Sequence, residues 1–112
     1  MGMDNVDNSR EVFEFSSKDI GTYVYLNAYP SFLITDVLAN GRIELASNIP
    51  GYMGLSSIDR FYVMRGLADD ELYNEYRFDN GISLKIDIKG VDDLGRKILV
   101  ASVISPDESI GF

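Results

Sequence analysis

Positions 82–89 alternate in character, with Ile82, Leu84, Ile86 and Ile88 on one side and Ser83, Lys85, Asp87 and Lys89 on the other. Successive side chains of a strand point to opposite faces, so this segment predicts a strand with one apolar and one polar face. Asn80-Gly81 precedes it, a pair that accepts the left-handed backbone of a hairpin turn. The residues before the turn decide its length. A two-residue loop would set Asp79, Arg77 and Glu75 against the aliphatics; a three-residue loop, Asp79-Asn80-Gly81, sets Phe78 against Ile82, Tyr76 against Leu84 and Leu72 against Ile88. Burial of one consistent apolar face outweighs the roughly 0.2–1 kcal/mol of a cross-strand charge pair. The longer loop is therefore expected, with Glu75 beside Lys85 on the outer face.

The same period marks 12–15 and, more clearly, 22–28, where Val24, Leu26 and Ala28 oppose Tyr23, Tyr25, Asn27 and Tyr29. Segments 32–38 and 42–47 flank a second Asn-Gly pair at 40–41, and 97–104 is apolar enough to be a strand covered on both faces. Phe61-Tyr62-Val63-Met64 predicts a strand, and Asp69-Asp70-Glu71 ahead of Leu72 and Tyr73 predicts one helical turn, because acids favour helix N-termini. Together these elements predict a mainly β fold, a small antiparallel barrel or a two-sheet sandwich built from hairpins, with at most one or two short helical turns. Residues 1–10 carry no apolar period and are expected to be a disordered tail in which Met1-Gly2 resembles a cloning scar, leaving 11–112 as a single domain.

Length and composition narrow the chemistry. With 112 residues the chain can bury one core but not two. It has no His and no Cys, which excludes a Ser-His-Asp or Cys-His triad, a thiolate nucleophile, a disulfide and a zinc site of ordinary ligands. Asp87, Asp92 and Asp93 lack the spacing of a calcium-binding loop, and Gly51-Tyr52-Met53-Gly54 lacks the Lys and Ser/Thr of a phosphate cradle. Neither a cofactor nor a metal is expected. Eighteen acids against ten bases give a net charge of -8, which argues against non-specific binding to nucleic acid or to anionic membranes. No apolar run approaches the ~20 residues of a membrane span, and the start lacks the features of a secretory signal, so a cytoplasmic location fits best.

Two features point to a contact surface. Tyr23, Tyr25 and Tyr29 occupy alternate positions of one predicted strand and its end, where phenols could form the centre of a protein contact or pack beneath a loop, and Tyr52 sits in an irregular aromatic stretch. Asp69, Asp70, Glu71, Asp92 and Asp93 make 69–93 the most acidic part of the chain and would steer a basic partner. The leading expectation is a non-enzymatic acidic interaction module, such as an adaptor, an accessory subunit, or an inhibitor or immunity-type protein. A small-ligand-binding barrel with these tyrosines around its mouth is the alternative. A carboxylate enzyme comes third, and Asp36 is its one candidate: closing 32–47 with a two-residue turn would place Asp36 opposite Leu45 in an apolar face, as a general acid/base. A bulge that turns Asp36 outward is the more economical outcome, and a three-residue loop would set it opposite Glu44. A free edge strand would also let a second copy extend the sheet.

Overall fold

The computed structural model describes residues 13–105. The expected tail at 1–10 and Val12 lie outside the described residues. Hairpins organise the chain, and three of them use one device. Leu38 donates its N–H to the carbonyl of Arg42 at 2.8 Å, Phe78 to Ile82 at 2.9 Å and Asp92 to Arg96 at 2.8 Å, so each loop has three residues. The third residue is Gly41, Gly81 or Gly95, with φ of 84°, 85° and 80°. That left-handed backbone suits glycine, which has no Cβ to clash. Asn40 and Asn80 fix the turn through their side chains, each accepting the N–H two residues on at 3.2 Å.

These turns join seven strands: β1 (Tyr23–Leu26), β2 (Tyr29–Val37), β3 (Ile43–Ser47), β4 (Arg60–Arg65), β5 (Glu71–Asn74), β6 (Ser83–Val91) and β7 (Lys97–Ile104). Each pairs with the next in antiparallel fashion, and β7 closes on β1 to complete a barrel. An up-and-down meander with an odd number of strands begins and ends in the same direction, so the closing β1–β7 pair is parallel, through Val24 opposite Leu99 and Tyr25 opposite Val100. The fold is thus the barrel of the two expected architectures, with short 3₁₀ turns at Ser17–Asp19 and Tyr52–Gly54. Closure leaves no edge strand free along its whole length, so the sheet extension expected for a homo-oligomer is restricted to places where a strand overhangs its neighbour.

The inward positions fill the barrel. Phe32, Ile34, Ile43, Leu45, Val63, Leu72, Leu84, Ile86 and Leu99 are all at most 1% exposed, so the lumen is a packed core. Several expectations fail, among them that of a strand at 97–104 covered on both faces, since Ile98 and Val103 are exposed. The 69–73 segment is not a helical turn, because Glu71–Asn74 is β5, paired with β4 and β6. Phe13 to Phe15 join no sheet, and Phe13 and Phe15 pack against the core from outside it. The register of the β5–β6 hairpin holds only at its turn: Phe78 meets Ile82, but Leu72 stands opposite Ile86, two residues from the expected Ile88. A slip of two keeps Leu72 on the core face, because side chains alternate with period two. Its cost falls on 75–77, which leave the ladder; Tyr76 is 82% exposed and does not face Leu84. Glu75 therefore misses Lys85, which pairs instead with Glu71 at 3.0 Å.

Candidate functional site

Alternating strands give the barrel two ends. The lower end carries loops 38–42, 66–70 and 92–96, and the upper end carries the β1–β2 turn and the long connections 48–59 and 75–82. Five acids named from the sequence lie in or beside two loops of the lower end. Asp69 and Asp70 lie in the β4–β5 loop, Glu71 opens β5, and Asp92 and Asp93 lie in the β6–β7 turn. The Asp70 carbonyl accepts the Ile88 N–H at 2.8 Å, which ties the first loop to the strand that leads into the second. Glu71 and Asp92 are engaged. The ion pair with Lys85 lowers the Glu71 carboxyl, and Asp92 is lowered by the Arg96 and Leu94 N–H groups, both donating at 2.9 Å. Asp69, Asp70 and Asp93 have no side-chain partner among the described residues and face solvent. Beside them stand two large apolar residues that a core would claim, Leu67 at 107% and Leu94 at 76% exposure.

The tyrosines divide. Tyr23 and Tyr25, each 41% exposed, share the outer face of β1 with the exposed Ile98 of neighbouring β7. Tyr29 opens β2 at the upper end, because Asn27 and Ala28, at φ of 53° and 65°, turn the chain there and end the strand expected to reach Ala28. Tyr52 is half-buried, its ring centroid 6.4 Å from that of Phe32, which makes it a covering residue of the core. Asp36 stands opposite Glu44 because the loop has three residues and a bulge lies between Ile34 and Asp36. It is half-buried on the outer side and accepts the Val37 N–H at 2.8 Å, away from the apolar face on which its acid/base role depended.

Two polar constellations escaped the sequence. Glu44 accepts the hydroxyls of Thr35 at 2.8 Å and Tyr62 at 3.0 Å, and the Tyr62 hydroxyl is raised by that bond. The Arg42 guanidinium lies 4.4 Å from the Tyr62 ring centroid and holds Glu75 with two bonds, at 2.5 and 3.2 Å. Inside the lower end, Lys97 Nζ sits 3.2 Å from both carboxylate oxygens of Asp19, with the pair 6% and 4% exposed. Asp19 also accepts the Ser16 N–H at 2.9 Å, and Phe15 stacks beneath the ammonium at 4.9 Å, so the first 3₁₀ turn plugs the barrel through this pair. One signal was available: Lys97 is in phase with Leu99 and Ala101, a charge at an inward position.

A cavity of about 530 Å³ lies at the upper end between 53–62 and 75–80, and Phe61 and Phe78 are among its lining residues. Tyr23, Tyr25 and Tyr29 do not border it. No cluster of metal-ligating side chains and no helix long and apolar enough to cross a membrane occur among the described residues. Compared with known proteins, the chain matches no family model, and no curated protein or solved structure is significantly similar to it.

Proposed function

We propose that this chain is a non-enzymatic interaction module that docks a basic protein surface against the lower end of its barrel. The observation that carries the reading is that this end holds Asp69, Asp70 and Asp93, all unpaired among the described residues, in the same two loops as the exposed Leu67 and Leu94. Solvated acids alone serve solubility, and a fully exposed leucine alone is ordinary; together they match a contact with apolar anchors inside a charged rim. Glu71 and Asp92 add to the field while holding the loops in shape. Tyr23 and Tyr25 extend the surface up the outer wall, since β6, β7 and β1 are consecutive neighbours. An adaptor, an accessory subunit or an inhibitor of a basic protein would each use such a face. A cytoplasmic setting suits a barrel that has no cysteine and holds together without disulfides.

Charge steers association more than it holds the complex, so the two parts separate experimentally. Asp69→Lys with Asp70→Lys and Asp93→Lys should slow association by about tenfold or more at low salt and abolish its salt dependence. Leu67→Ser with Leu94→Ser should instead speed dissociation. The measurement is capture from native lysate by the parent and both variants at low and high salt, followed by association kinetics with the captured protein. A partner retained equally by all three proteins would place the contact elsewhere.

A further inference from the structure

The barrel wall is unzipped at the upper end of β4. The Tyr62 carbonyl accepts the Glu75 N–H at 3.0 Å, and the Gly66 N–H donates to Glu71 at 2.9 Å, so even-numbered residues along β4 turn their backbone groups toward β5. Continuing that register would set Arg77 opposite Arg60, yet among the described residues no backbone bond joins them. The chain swings away to reach the Phe78–Ile82 turn, and the cavity of about 530 Å³ opens in the gap. The N–H and C=O of Arg60 therefore border the cavity as a short free edge, although β4 is paired with β3 on its other side.

The gap has an apolar floor and a charge-balanced rim. Phe61 meets Phe78 edge-on at 5.2 Å and Phe32 at 5.5 Å, a row of rings running from the cavity into the core. On the rim, Arg60 and Arg77 accompany Asp59 and Asp79, while Glu75 is neutralised by Arg42. Such a rim selects neither a strong anion nor a strong cation, in contrast to the acidic lower end. A backbone donor and acceptor on one residue, beside an apolar floor, fit a main chain better than a rigid ring, and the volume exceeds what one side chain fills.

We propose that this wedge binds a short extended peptide segment of a partner, which adds as a strand to β4 at Arg60 and seats one aromatic or branched side chain on Phe61 and Phe78. Main-chain bonds supply affinity in this mode and the seated side chain supplies selectivity. Tyr76, standing at the rim, covers the seated residue.

The probe is a capped Ser-Val-Phe-Val-Ser peptide, titrated into the full chain while backbone amide shifts are followed by NMR. The expected result is saturable perturbation of Arg60, Tyr62 and Arg77, with about tenfold weaker binding of the same peptide N-methylated at its central residues, which cannot pair as a strand. Tyr76→Ala should weaken binding several-fold without unfolding the chain, because the side chain is 82% exposed. Arg60→Pro, at the first position of β4 where proline is tolerated, should abolish it. Equal binding of both peptides, full displacement by free indole, or no perturbation around the wedge at millimolar peptide would each overturn the proposal. The lower-end loops should show no shifts, so this result stands or falls apart from the acidic surface.

Discussion

A buried charge is kept only where something answers it, and Lys97 shows what that demands. The ammonium has both oxygens of Asp19 at 3.2 Å and the face of Phe15 beneath it. Removing either charge strands the other in the core, whereas removing both leaves an uncharged plug. Lys97→Met alone is expected to cost about 3–5 kcal/mol in urea unfolding, and the pair Lys97→Met with Asp19→Asn to recover most of that loss, since the introduced amide oxygen would still accept the Ser16 N–H. A single variant within 1 kcal/mol of the parent, in the same measurement as the ~3–5 kcal/mol expected, would show that solvent reaches the pair. Glu44 and Asp36 teach a related lesson. Two acids stand opposite one another across β2 and β3, and Thr35, Tyr62 and the Val37 N–H answer them with hydrogen bonds.

At the level of elements, the positions of the Asn-Gly turns were the most legible feature, although the two-residue closure considered at 40–41 gives way to a three-residue loop, and the β1–β2 turn is an instructive exception. Both Asn-Gly pairs form three-residue loops with the glycine left-handed, as the apolar faces around 80–81 require. The β1–β2 turn has the same backbone demand but meets it with Asn27 and Ala28, and nothing in a Tyr-Leu-Asn-Ala-Tyr run announces a turn. Alanine at φ of 65° carries a strain of roughly 1–2 kcal/mol that glycine avoids. Ala28→Gly is therefore expected to stabilise the chain by about 1 kcal/mol in thermal or urea unfolding, after the greater entropy of unfolded glycine is set against it. A loss of stability would mean that the Ala28 methyl packs where the strand turns. The helical turn expected at 69–71 failed for a different reason. Acids favour a helix N-terminus, but a four-residue segment between two partners gains more from completing two ladders than from capping a turn.

Across the whole molecule, closure is uneven. The β6–β7 ladder runs through eight register pairs, from Ser83 opposite Ile104 to Val91 opposite Lys97, whereas the parallel β1–β7 seam has two. A barrel of this kind opens where the fewest bonds must break. Amides of β1 are expected to exchange with deuterium well before those of Leu84, Ile86 and Leu99, with native-state exchange under mild denaturant as the readout. Uniform protection around the barrel would show that it opens only by global unfolding. Uneven closure also separates the two proposed sites, the acidic surface on tight lower loops and the peptide wedge where the β4–β5 ladder gives out above.

Period-two alternation, the Asn-Gly pairs and the absence of His and Cys belong to neighbouring residues or to composition, so the sequence alone determined a hairpin-built β domain, the core faces of its main strands and the chemistries it lacks. Closure, the two-residue slip that releases Tyr76, the Arg42–Glu75 and Asp19–Lys97 pairs, and the placing of 69–71 and 92–93 toward the same end were decided by the tertiary structure. Each joins residues remote in the chain, and which of them meet depends on how seven strands together bury one lumen, a balance that no local window contains.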